Sequence, residues 1–271
     1  MKKILCLILL LGLFSAAALS RADELRVDFY DMGKADAMLI TTPEGKRILI
    51  DTGTNKGGKK LVSRFQEEGI DRIDLLLITH YDKDHVGGGD KILEDVGVKE
   101  VVMPVYAKES KQYTQFAEAL EETDTKASRL KIGSEMTVTT DDGVTMFITA
   151  AHKPSYGKDE ENDFSLSVRL AYGETKFFFA GDAEDPRQRE LLKEGDVACD
   201  VLKVPYHGRL VNASEEFLTE ANPKIAFITD SEEEPASEKV IRILEDLGAD
   251  VRSAKDGGIA VVSDGKDVRI L

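Results

Sequence analysis

The sequence contains little cysteine, little histidine and no tryptophan. Of its 271 residues only two are cysteine, Cys6 and Cys199, and only four are histidine. Two cysteines cannot build the dense disulfide framework of a small secreted scaffold, so a hydrophobic core and any bound ligand must hold the fold. The scarcity of histidine makes its placement informative, because two of the four lie within one stretch of six residues.

Positive charge is also in short supply. The chain has 36 lysine and arginine residues against 51 aspartate and glutamate residues, a formal net charge of −15. This excess of acid argues against a protein that coats nucleic acid, since phosphate contacts need Lys and Arg. It does not exclude a nuclease with one locally positive groove. Hydrophobic residues make up 42% of the chain and charged residues 32%, a balance typical of globular rather than disordered proteins.

The apolar run near the start of the sequence is too short to span a membrane comfortably. It covers Ile4–Leu13, it follows Lys2 and Lys3, and small residues precede the expected cleavage after Ala22. This is the pattern of a secretory signal peptide over residues 1–22. We therefore expect an exported protein, periplasmic or extracellular, with no stable membrane anchor after cleavage.

Cleavage would leave residues 23–271, which contain no Pro- or Gly-rich linker and no short-period repeat, and we expect them to form one domain. Cleavage would remove three basic residues and no acid, which takes the net charge from −15 to −18. Cys199 would be the remaining cysteine. It lies in a short apolar run, so we expect a small buried side chain there.

Short apolar runs and amphipathic segments alternate along the rest of the chain. Strands are predicted at Leu25–Asp31, Ala37–Thr42, Arg47–Asp51, Ile73–Thr79, Glu100–Met103, Val201–Val204 and Ile225–Thr229, within 130–150 and 164–180, and three times after 247. Helices are predicted at Gly57–Glu68, Gly89–Val96, Lys111–Glu122, Ala183–Glu194, Ser214–Ala221 and Ser237–Leu247. This order predicts an α/β (α+β) protein with sheets covered by helices on their outer faces. A polar stretch at 153–163 is expected to border a site.

The densest group of candidate ligands is the loop after the buried strand Ile73–Thr79. His80, Asp82, Asp84 and His85 fall within six residues there. Imidazole and carboxylate together suit a divalent ion such as zinc, manganese or iron. Alternate residues 80, 82 and 84 can share one side of an extended loop while 85 turns the other way, so the loop could serve two adjacent ions. A solvated charged loop is the plain alternative, but two histidines buried among charges without a ligand would be costly.

Two later strands also end on ligand-type residues. The apolar run 177–180 leads to Gly181 and Asp182, and the run 201–204 leads to Tyr206 and His207. Either feature alone would be a weak signal, since a lone Asp in a turn is usually a helix cap or solvated. Together with the first loop, they bring ligand-type residues to the ends of three strands.

The order and spacing of these residues resemble the metallo-β-lactamase superfamily over residues 25–210. The matching residues are Asp51 in the first motif, His80, Asp82, Asp84 and His85 in the His-x-(His/Asp)-x-Asp-His motif, Asp182 as the metal-bridging aspartate, and His207 as the last histidine. Within the superfamily, segments 31–37, 162–166 and 181–184 are similar to the domain attached to the competence DNA-uptake channel (ComEC-like). The resemblance implies a four-layer αββα sandwich with the site at one edge of the two sheets.

Three positions depart from the pattern of the family. Asp82 stands where many relatives have histidine, and Tyr206 stands where the competence type usually has a second histidine. Asn162 lies in the stretch where the first ion usually receives a further histidine. By the resemblance, one ion site is complete, formed by Asp84, His85 and His207 with the bridging Asp182. The other would rest on His80, Asp82 and Asp182, with one ligand open.

The resemblance therefore implies two divalent ions as cofactors, zinc or manganese. A site rich in oxygen and poor in histidine shifts the preference towards manganese. One firmly bound ion with a weaker second ion is the alternative.

Four further residues are expected around the ions. Asp36 and Asp51 would support the ligands without touching metal. His152 is either a plain residue at a strand end, the missing ligand of the first ion, or an acid near the substrate. Asn162 is a candidate for the same open ligand position.

The expected reaction is hydrolysis. Two close divalent ions lower the pKa of a shared water and stabilise charge on an attacked phosphoryl or carbonyl centre. We expect Asp84 both to bind metal and to orient that water, and Tyr206 and Lys83 to stabilise or protonate the leaving oxygen. The resemblance favours a phosphodiester. The acidity of the chain favours a small or cell-envelope phosphoester, such as choline-bearing teichoic acid, with nucleic acid as a close alternative.

Two other functions stay open. The first is hydrolysis of another ester, amide or lactam bond, since a fold does not fix a function; the departures at Asp82 and Asn162 count against a lactam. The second is a catalytically degenerate metal-binding domain that recruits a partner. The full ligand set for one ion argues against the second alternative.

Overall fold

Fifteen strands form two mixed sheets that pack face to face. The computed structural model describes residues 24–157 and 161–271, so the signal peptide expected at 1–22 lies outside the described residues. The strands are β1 Leu25–Phe29, β2 Met38–Thr41, β3 Arg47–Ile50, β4 Ile73–Leu77, β5 Val98–Pro104, β6 Lys126–Leu130, β7 Glu135–Thr139, β8 Thr145–Thr149, β9 Ser167–Tyr172, β10 Thr175–Phe179, β11 Val201–Lys203, β12 Ile225–Ile228, β13 Asp250–Ser253, β14 Ile259–Ser263 and β15 Val268–Ile270.

Each sheet is antiparallel on one side and parallel on the other. The first sheet has the order β15-β14-β1-β2-β3-β4-β5-β6, and its strands from β3 to β6 are parallel. The second has the order β13-β12-β11-β10-β9-β8-β7, and its strands from β10 to β13 are parallel. The continuous apolar composition of β12, and of β4 after Asp74, fits strands that are covered on both faces.

Helices cover the outer face of each sheet. They are α1 Asn55–Glu67, α2 Gly89–Lys91, α3 Lys111–Glu122, α4 Asp185–Glu194, α5 Ser214–Ala221 and α6 Glu238–Asp246. In α1, Leu61, Val62 and Phe65 form the buried stripe, and the Thr54 side chain caps the helix by accepting the Gly57 N–H at 3.0 Å. One apolar cluster fills the space between the sheets, and two more lie beneath the two helical layers. The predicted four-layer αββα sandwich is confirmed.

Most predicted elements agree with the structure to within two residues. The helix predicted at Gly89–Val96 is a short α-helix that widens into a π-helical turn at Ile92–Val96. Strand β6 has no counterpart among the separately predicted strands, because four of its five residues are not buried and it lacks an apolar run. Cys199 is buried as expected.

Parallel strands place the candidate ligands together. The carboxyl ends of adjacent parallel strands lie at one edge of a sheet, which is where side chains can converge without disturbing the core. Asp51 follows β3, the His80–His85 loop follows β4, Asp182 follows β10, and His207 follows β11. The contacts described below show that the two sheets present these ends to each other.

Within residues 24–157 and 161–271, no helix is long and apolar enough to cross a membrane.

Candidate metal centre

Asp51 holds the loop after β4 in place. Its two carboxylate oxygens accept the Thr79 backbone N–H at 2.8 Å and the Thr79 hydroxyl at 2.7 Å. Oxygen Oδ2 also lies 2.8 Å from Nδ1 of His85. The backbone of Thr52 adds a further bond, its N–H donating to the His85 carbonyl at 2.8 Å. The contacts of Asp51 therefore orient His85 through its Nδ1 atom.

Glycines let helix α1 and this loop approach closely. A Cβ on Gly58 would lie 2.4 Å from the Cα of Gly88, and a Cβ on Gly88 would lie 2.5 Å from the Thr52 carbonyl oxygen. Such distances leave no room for a side chain. The run of glycines after His85 is thus required by the close contact that fixes the ligand loop against α1.

His207 is delivered by a strained turn. Tyr206 and His207 both have φ near 52°, in the left-handed region that non-glycine residues rarely adopt. Nδ1 of His207 lies 3.0 Å from the Thr229 carbonyl oxygen and 2.9 Å from its hydroxyl. These contacts fix the ring with Nε2 directed at the other ligands.

Two histidines and two carboxylates converge at this edge. Nε2 of His207 lies 2.8 Å from Oδ2 of Asp182 and 3.6 Å from Oδ2 of Asp84. Nε2 of His85 lies 3.4 Å from the same Asp182 oxygen. These are the residues that the resemblance assigns to one ion, and the structure brings all four together.

The unsatisfied imidazole nitrogens fit a metal. In the described part of the chain, Nε2 of His80, His85 and His207 is buried and makes no hydrogen bond of good geometry, although Nε2 of His85 and of His207 lies 3.4 and 2.8 Å from Oδ2 of Asp182. On each ring, Nδ1 has an oxygen partner instead, and for His80 this is the Thr79 hydroxyl at 3.1 Å. A buried polar atom without a partner is costly, and a divalent ion bound at Nε2 would relieve that cost. The donor set of imidazole and carboxylate therefore fits zinc or manganese.

Asp36 lies behind the imidazoles. It belongs to a buried group with His85, Asp182 and His207 whose ligand atoms lie within 4.8 Å of one another. Its oxygens face the Nδ1 atoms of His85 and His207, at 3.8 and 3.6 Å, and not the Nε2 atoms. Asp36 is therefore placed to support both rings, as the sequence suggested, and an ion at Nε2 would lie on the far side of them.

Lys203 is buried between two of these carboxylates. Its ammonium lies 2.5 Å from Oδ2 of Asp36 and 3.4 Å from Oδ1 of Asp182, and it donates to the Gly181 carbonyl at 3.1 Å. Burial alone would lower the pKa of Lys203, but the charges of Asp36 and Asp182 outweigh it and raise that pKa. Burial would raise the pKa of Asp182, but His207, His85 and Lys203 lower it well below its usual value. Both groups are therefore charged at neutral pH.

The ion site expected at His80, Asp82 and Asp182, here called the first site, is not assembled in the same way. Burial and the neighbouring His85 lower the pKa of His80 to about 4, so its ring is neutral and able to bind metal. Asp82, however, is paired with Lys108 at 2.5 Å, and Lys108 also pairs with Glu161. An ion at this position would have to compete with the lysine for Asp82.

The two candidates for the open ligand position differ in placement. Oδ1 of Asn162 is buried without a hydrogen-bond partner among the described residues, while its amide nitrogen donates to Glu184 at 2.7 Å. Asn162 therefore remains the candidate for this position. His152 instead pairs with Glu194 at 3.1 Å, and its backbone N–H donates to Glu190. The suggestion that His152 completes the first site or acts on the substrate is not supported by this placement.

Lys83 was expected beside the leaving group, and the structure does not place it there. The flanking Asp82 and Asp84 face inward, and the side chain of Lys83 between them is exposed. Across residues 24–157 and 161–271 it makes no side-chain hydrogen bond or ion pair. Besides Lys203, Lys34 is at the centre, with its ammonium 2.9 Å from Oδ2 of Asp84.

Three supporting lysines are not evident from the ligand motifs. Lys34 and Lys108 lie in other loops, far from the ligands in sequence. Lys203 leaves a clearer signal, because it interrupts the apolar run of β11 and would be costly to bury unless paired with an acid. Ser165 also contributes, accepting the Asp182 N–H at 3.1 Å and lying 3.4 Å from Nδ1 of His80.

This fold and its buried ligand group define a metallo-hydrolase architecture with a candidate metal site. The family model of the metallo-beta-lactamase superfamily matches residues 30–228, so the chain belongs to that superfamily.

Relatives of known name confirm the likeness to competence proteins. ComE operon protein 3 of Bacillus subtilis is 26% identical over 243 residues, which is 83% of this chain and 30% of that protein. Competence protein ComA of Neisseria gonorrhoeae is 26% identical over 208 residues, which is 75% of this chain and 27% of that protein. The chain thus spans less than a third of the length of either relative.

A solved structure supports the fold. The metallo-beta-lactamase fold protein YhfI from Bacillus subtilis matches with a TM-score of 0.59, over 89% of this chain and 100% of that chain, at 14% identity. At this identity the likeness is one of fold.

Proposed function

We propose that this chain is an exported, metal-dependent phosphodiesterase. The observation that carries the proposal is the convergence of Asp84, His85, Asp182 and His207, with both imidazole Nε2 atoms buried and directed at the carboxylates. Membership of the metallo-beta-lactamase superfamily supports hydrolysis as the reaction. The proposed substrate is a small or cell-envelope phosphoester, with nucleic acid as the close alternative.

Cations near the centre support an anionic substrate. The ammonium of Lys34 contacts Asp84. Burial would lower the pKa of Lys34, but the negative charges of Asp84 and Asp182 outweigh burial and raise that pKa. The guanidinium carbon of Arg209 lies 5.4 Å from the centroid of the Tyr206 ring. Arg209 also interacts electrostatically with Asp182. These two cations, each paired with one acid (Lys34 with Asp84, Arg209 with Glu234), lie beside the candidate ligands and would attract a phosphodiester, whereas the net charge of −15 opposes a long polyanion.

The ligands define what an ion would do here. Asp84, Asp182, His85 and His207 would hold it. A divalent ion lowers the pKa of a bound water towards neutrality and polarises a phosphoryl oxygen. We propose one firmly held zinc or manganese ion at these residues, and a weaker second ion beside Asp82, because that second site has one ligand position open and its Asp82 is paired with Lys108.

The remaining steps belong to side chains of the chain. Lys34 would hold a non-bridging oxygen of the phosphodiester against the centre. Tyr206 is half-buried, and burial raises the pKa of its hydroxyl, so the oxygen keeps its proton at neutral pH. We propose that this O–H donates to the departing ester oxygen.

Metal analysis and turnover of bis-p-nitrophenyl phosphate test this function. The purified mature chain should contain close to one tightly held ion and should hydrolyse the diester with added manganese or zinc. Asp84→Ala should lose the ion and at least roughly 100-fold in kcat/KM. Asp90→Ala is the matched control, because Asp90 is a buried carboxylate of helix α2, just after the loop, that pairs with Lys91 and not with the candidate ligands.

The outcomes separate the candidate functions. Bound metal without turnover of any phosphodiester, unchanged by Asp84→Ala, would contradict the phosphodiesterase and favour a degenerate binding domain. Hydrolysis of a chromogenic cephalosporin but not of the diester would favour a lactam substrate. Export rests on the pattern of residues 1–22, and the mass of the protein recovered outside the cytoplasm tests it: a chain that retains these residues would contradict cleavage.

A further inference from the structure

An apolar pocket opens beside the metal centre. It has a volume of about 80 Å³, several times the space that one water needs, and Val105, Tyr106, Ile132, Pro154 and Phe164 form much of its wall. The other lining residues are proline, leucine or alanine. Among the described lining residues, the Tyr106 hydroxyl is the one polar side-chain atom, and it accepts the Tyr81 N–H at 2.9 Å. The described side chains of the wall therefore offer little hydrogen bonding to an occupant.

The strand order places this pocket next to the loop that carries His80 and Asp82. Strands β4, β5 and β6 are parallel neighbours, so the loops after them lie side by side at one edge of the sheet. The loop after β4 carries His80 and Asp82, and the loops after β5 and β6 carry Val105 and Ile132. Tyr81, which Tyr106 binds, is the residue between His80 and Asp82.

The second sheet closes the other wall. Phe164 precedes Ser165, whose hydroxyl lies 3.4 Å from Nδ1 of His80. The ring of Phe164 packs against that of Tyr106 with 5.0 Å between centroids, and Tyr106 packs against Tyr81 at 4.7 Å. These aromatic contacts give the pocket a preformed shape. They reach Tyr81, which is the neighbour of the candidate ligand His80 in the sequence.

Its rim is apolar and exposed. Val105 is 41% exposed and Ile132 39%. Among the described residues, only five large hydrophobic side chains are exposed, the others being buried or half-buried. Two of those five border this one pocket. Exposed apolar surface that is concentrated beside a charged centre indicates a surface that a ligand covers.

We propose that this pocket binds an apolar substituent of the substrate, an aryl or alkyl group esterified to the phosphate whose other oxygens face the metal centre. This rests on the proposed phosphodiesterase function and narrows its substrate class. A nucleobase or a sugar would bring donors and acceptors that the wall cannot satisfy, so the pocket selects against both. An aryl or alkyl group would cover Val105 and Ile132 and release ordered water.

A pair of substrates with the same leaving group tests the pocket. Phenyl p-nitrophenyl phosphate and methyl p-nitrophenyl phosphate differ in the retained ester group alone. The wild-type protein should prefer the phenyl ester in kcat/KM by roughly tenfold or more. Ile132→Asp and, separately, Val105→Asp should bring that ratio close to one. Both side chains are partly exposed, so neither change requires a charge to be buried in the core.

Phe147→Asp is the matched control. Phe147 is 43% exposed, comparable to Val105 and Ile132, but it lies on β8 beside Arg169 and Lys176, away from the pocket. This variant should keep the wild-type ratio. A phenyl preference that survives both pocket variants, or that Phe147→Asp removes equally, would overturn the proposal. A thymidine ester preferred over the phenyl ester and lost in the pocket variants would also overturn it, because the occupant would then be a base.

A binding measurement keeps the pocket distinct from the reaction. Phenylphosphonate should shift the methyl NMR signals of Val105 and Ile132, and methylphosphonate should not. If no phosphodiester is hydrolysed but phenylphosphonate still shifts these signals, the pocket stands and the phosphodiesterase fails. If diesters are hydrolysed but phenylphosphonate leaves the signals unmoved, the pocket proposal fails and the reaction stands.

Discussion

The ammonium of Lys203 lies 2.5 Å from Oδ2 of Asp36, and neither side chain is accessible to solvent. Asp36 in turn lies behind the rings of His85 and His207, and Lys203 also contacts Asp182. One buried cation therefore balances two buried carboxylates. Lys203 thus supports three of the four residues that converge at the candidate ion site: Asp182 by direct contact, and His85 and His207 through Asp36.

Lys203→Met should destabilise the protein by about 3–5 kcal/mol, because it leaves Asp36 buried and unpaired. Urea unfolding of the metal-free protein measures this loss. Lys176→Met on the neighbouring strand should cost less than about 1 kcal/mol, since the Lys176 pair with Asp196 is exposed. The double variant Lys203→Met with Asp36→Asn should recover part of the loss. Equal losses for Lys203→Met and Lys176→Met would contradict the role given to the buried pair.

Lys108→Met should strengthen the binding of a second ion. In the wild-type protein, Lys108 pairs with a carboxylate oxygen of Asp82. The substitution frees this oxygen and removes a positive charge from the vicinity of His80. We expect roughly a tenfold gain in affinity at the weaker site and no change in the stoichiometry of the firmly bound ion. Isothermal titration with manganese measures both, and Lys111→Met, on the adjoining helix, is the control. An unchanged second affinity would show that Lys108 does not compete with metal.

Gly58→Ala should be costly, whereas Gly57→Ala should be nearly neutral. A Cβ at position 58 would meet the backbone of Gly88 at 2.4 Å, so α1 and the ligand loop would have to separate, at about 1–3 kcal/mol. At position 57 the nearest atom is the flexible end of Met32, at 3.2 Å. Thermal unfolding of the two variants gives the comparison, and only Gly58→Ala should also weaken metal binding. A similar loss for both substitutions would contradict the close approach as its cause, because helix propensity alone favours alanine over glycine at both positions.

Glu190 should stabilise the fold at neutral pH and lose that effect in acid. Burial would raise its pKa, but the Tyr156 hydroxyl, the His152 backbone N–H and Arg187 bind the carboxylate and lower it. Because the folded pKa is depressed, the stabilisation is complete above the unfolded value near 4.5 and is lost as pH falls through the folded value. Glu190→Gln should therefore cost about 2 kcal/mol at pH 7 and progressively less below pH 4.

Urea unfolding of Glu190→Gln across this pH range provides the measurement. Glu238→Gln is the control, because Glu238 forms an exposed pair with Arg242 within one helix and should change stability little at any pH. A cost for Glu190→Gln that grows on acidification would reverse the sign expected from the lowered pKa.

The sequence predicts the fold and the ligands wherever the signal is local. Helices α3 and α5 begin and end where their apolar patterns predict. Strand β4 is recognisable from the apolar run 75–78, and the loop after it from the spacing of His80 to His85. Each of these features depends on residues that are neighbours in the sequence, so it can be predicted without the tertiary structure.

The rest depends on contacts between distant parts of the chain. Nothing near Asp82 in sequence indicates that Lys108 binds it, and nothing near Lys34 indicates Asp84. Lys83 shows the opposite error, because closeness in sequence to two ligands suggested a role that its exposed side chain does not support. Position along the chain thus identifies ligands better than it identifies the charges that surround them.

The left-handed backbone at Tyr206 and His207 limits how this segment can vary during evolution. Each non-glycine residue held there costs about 1–3 kcal/mol, and β-branched residues are excluded more strongly than Asn, Asp or His. Position 206 can therefore exchange among a narrow set of residue types without moving the backbone of His207. Sequence drift at this one position could change the group presented to the leaving oxygen while the geometry of the ligand stays constant.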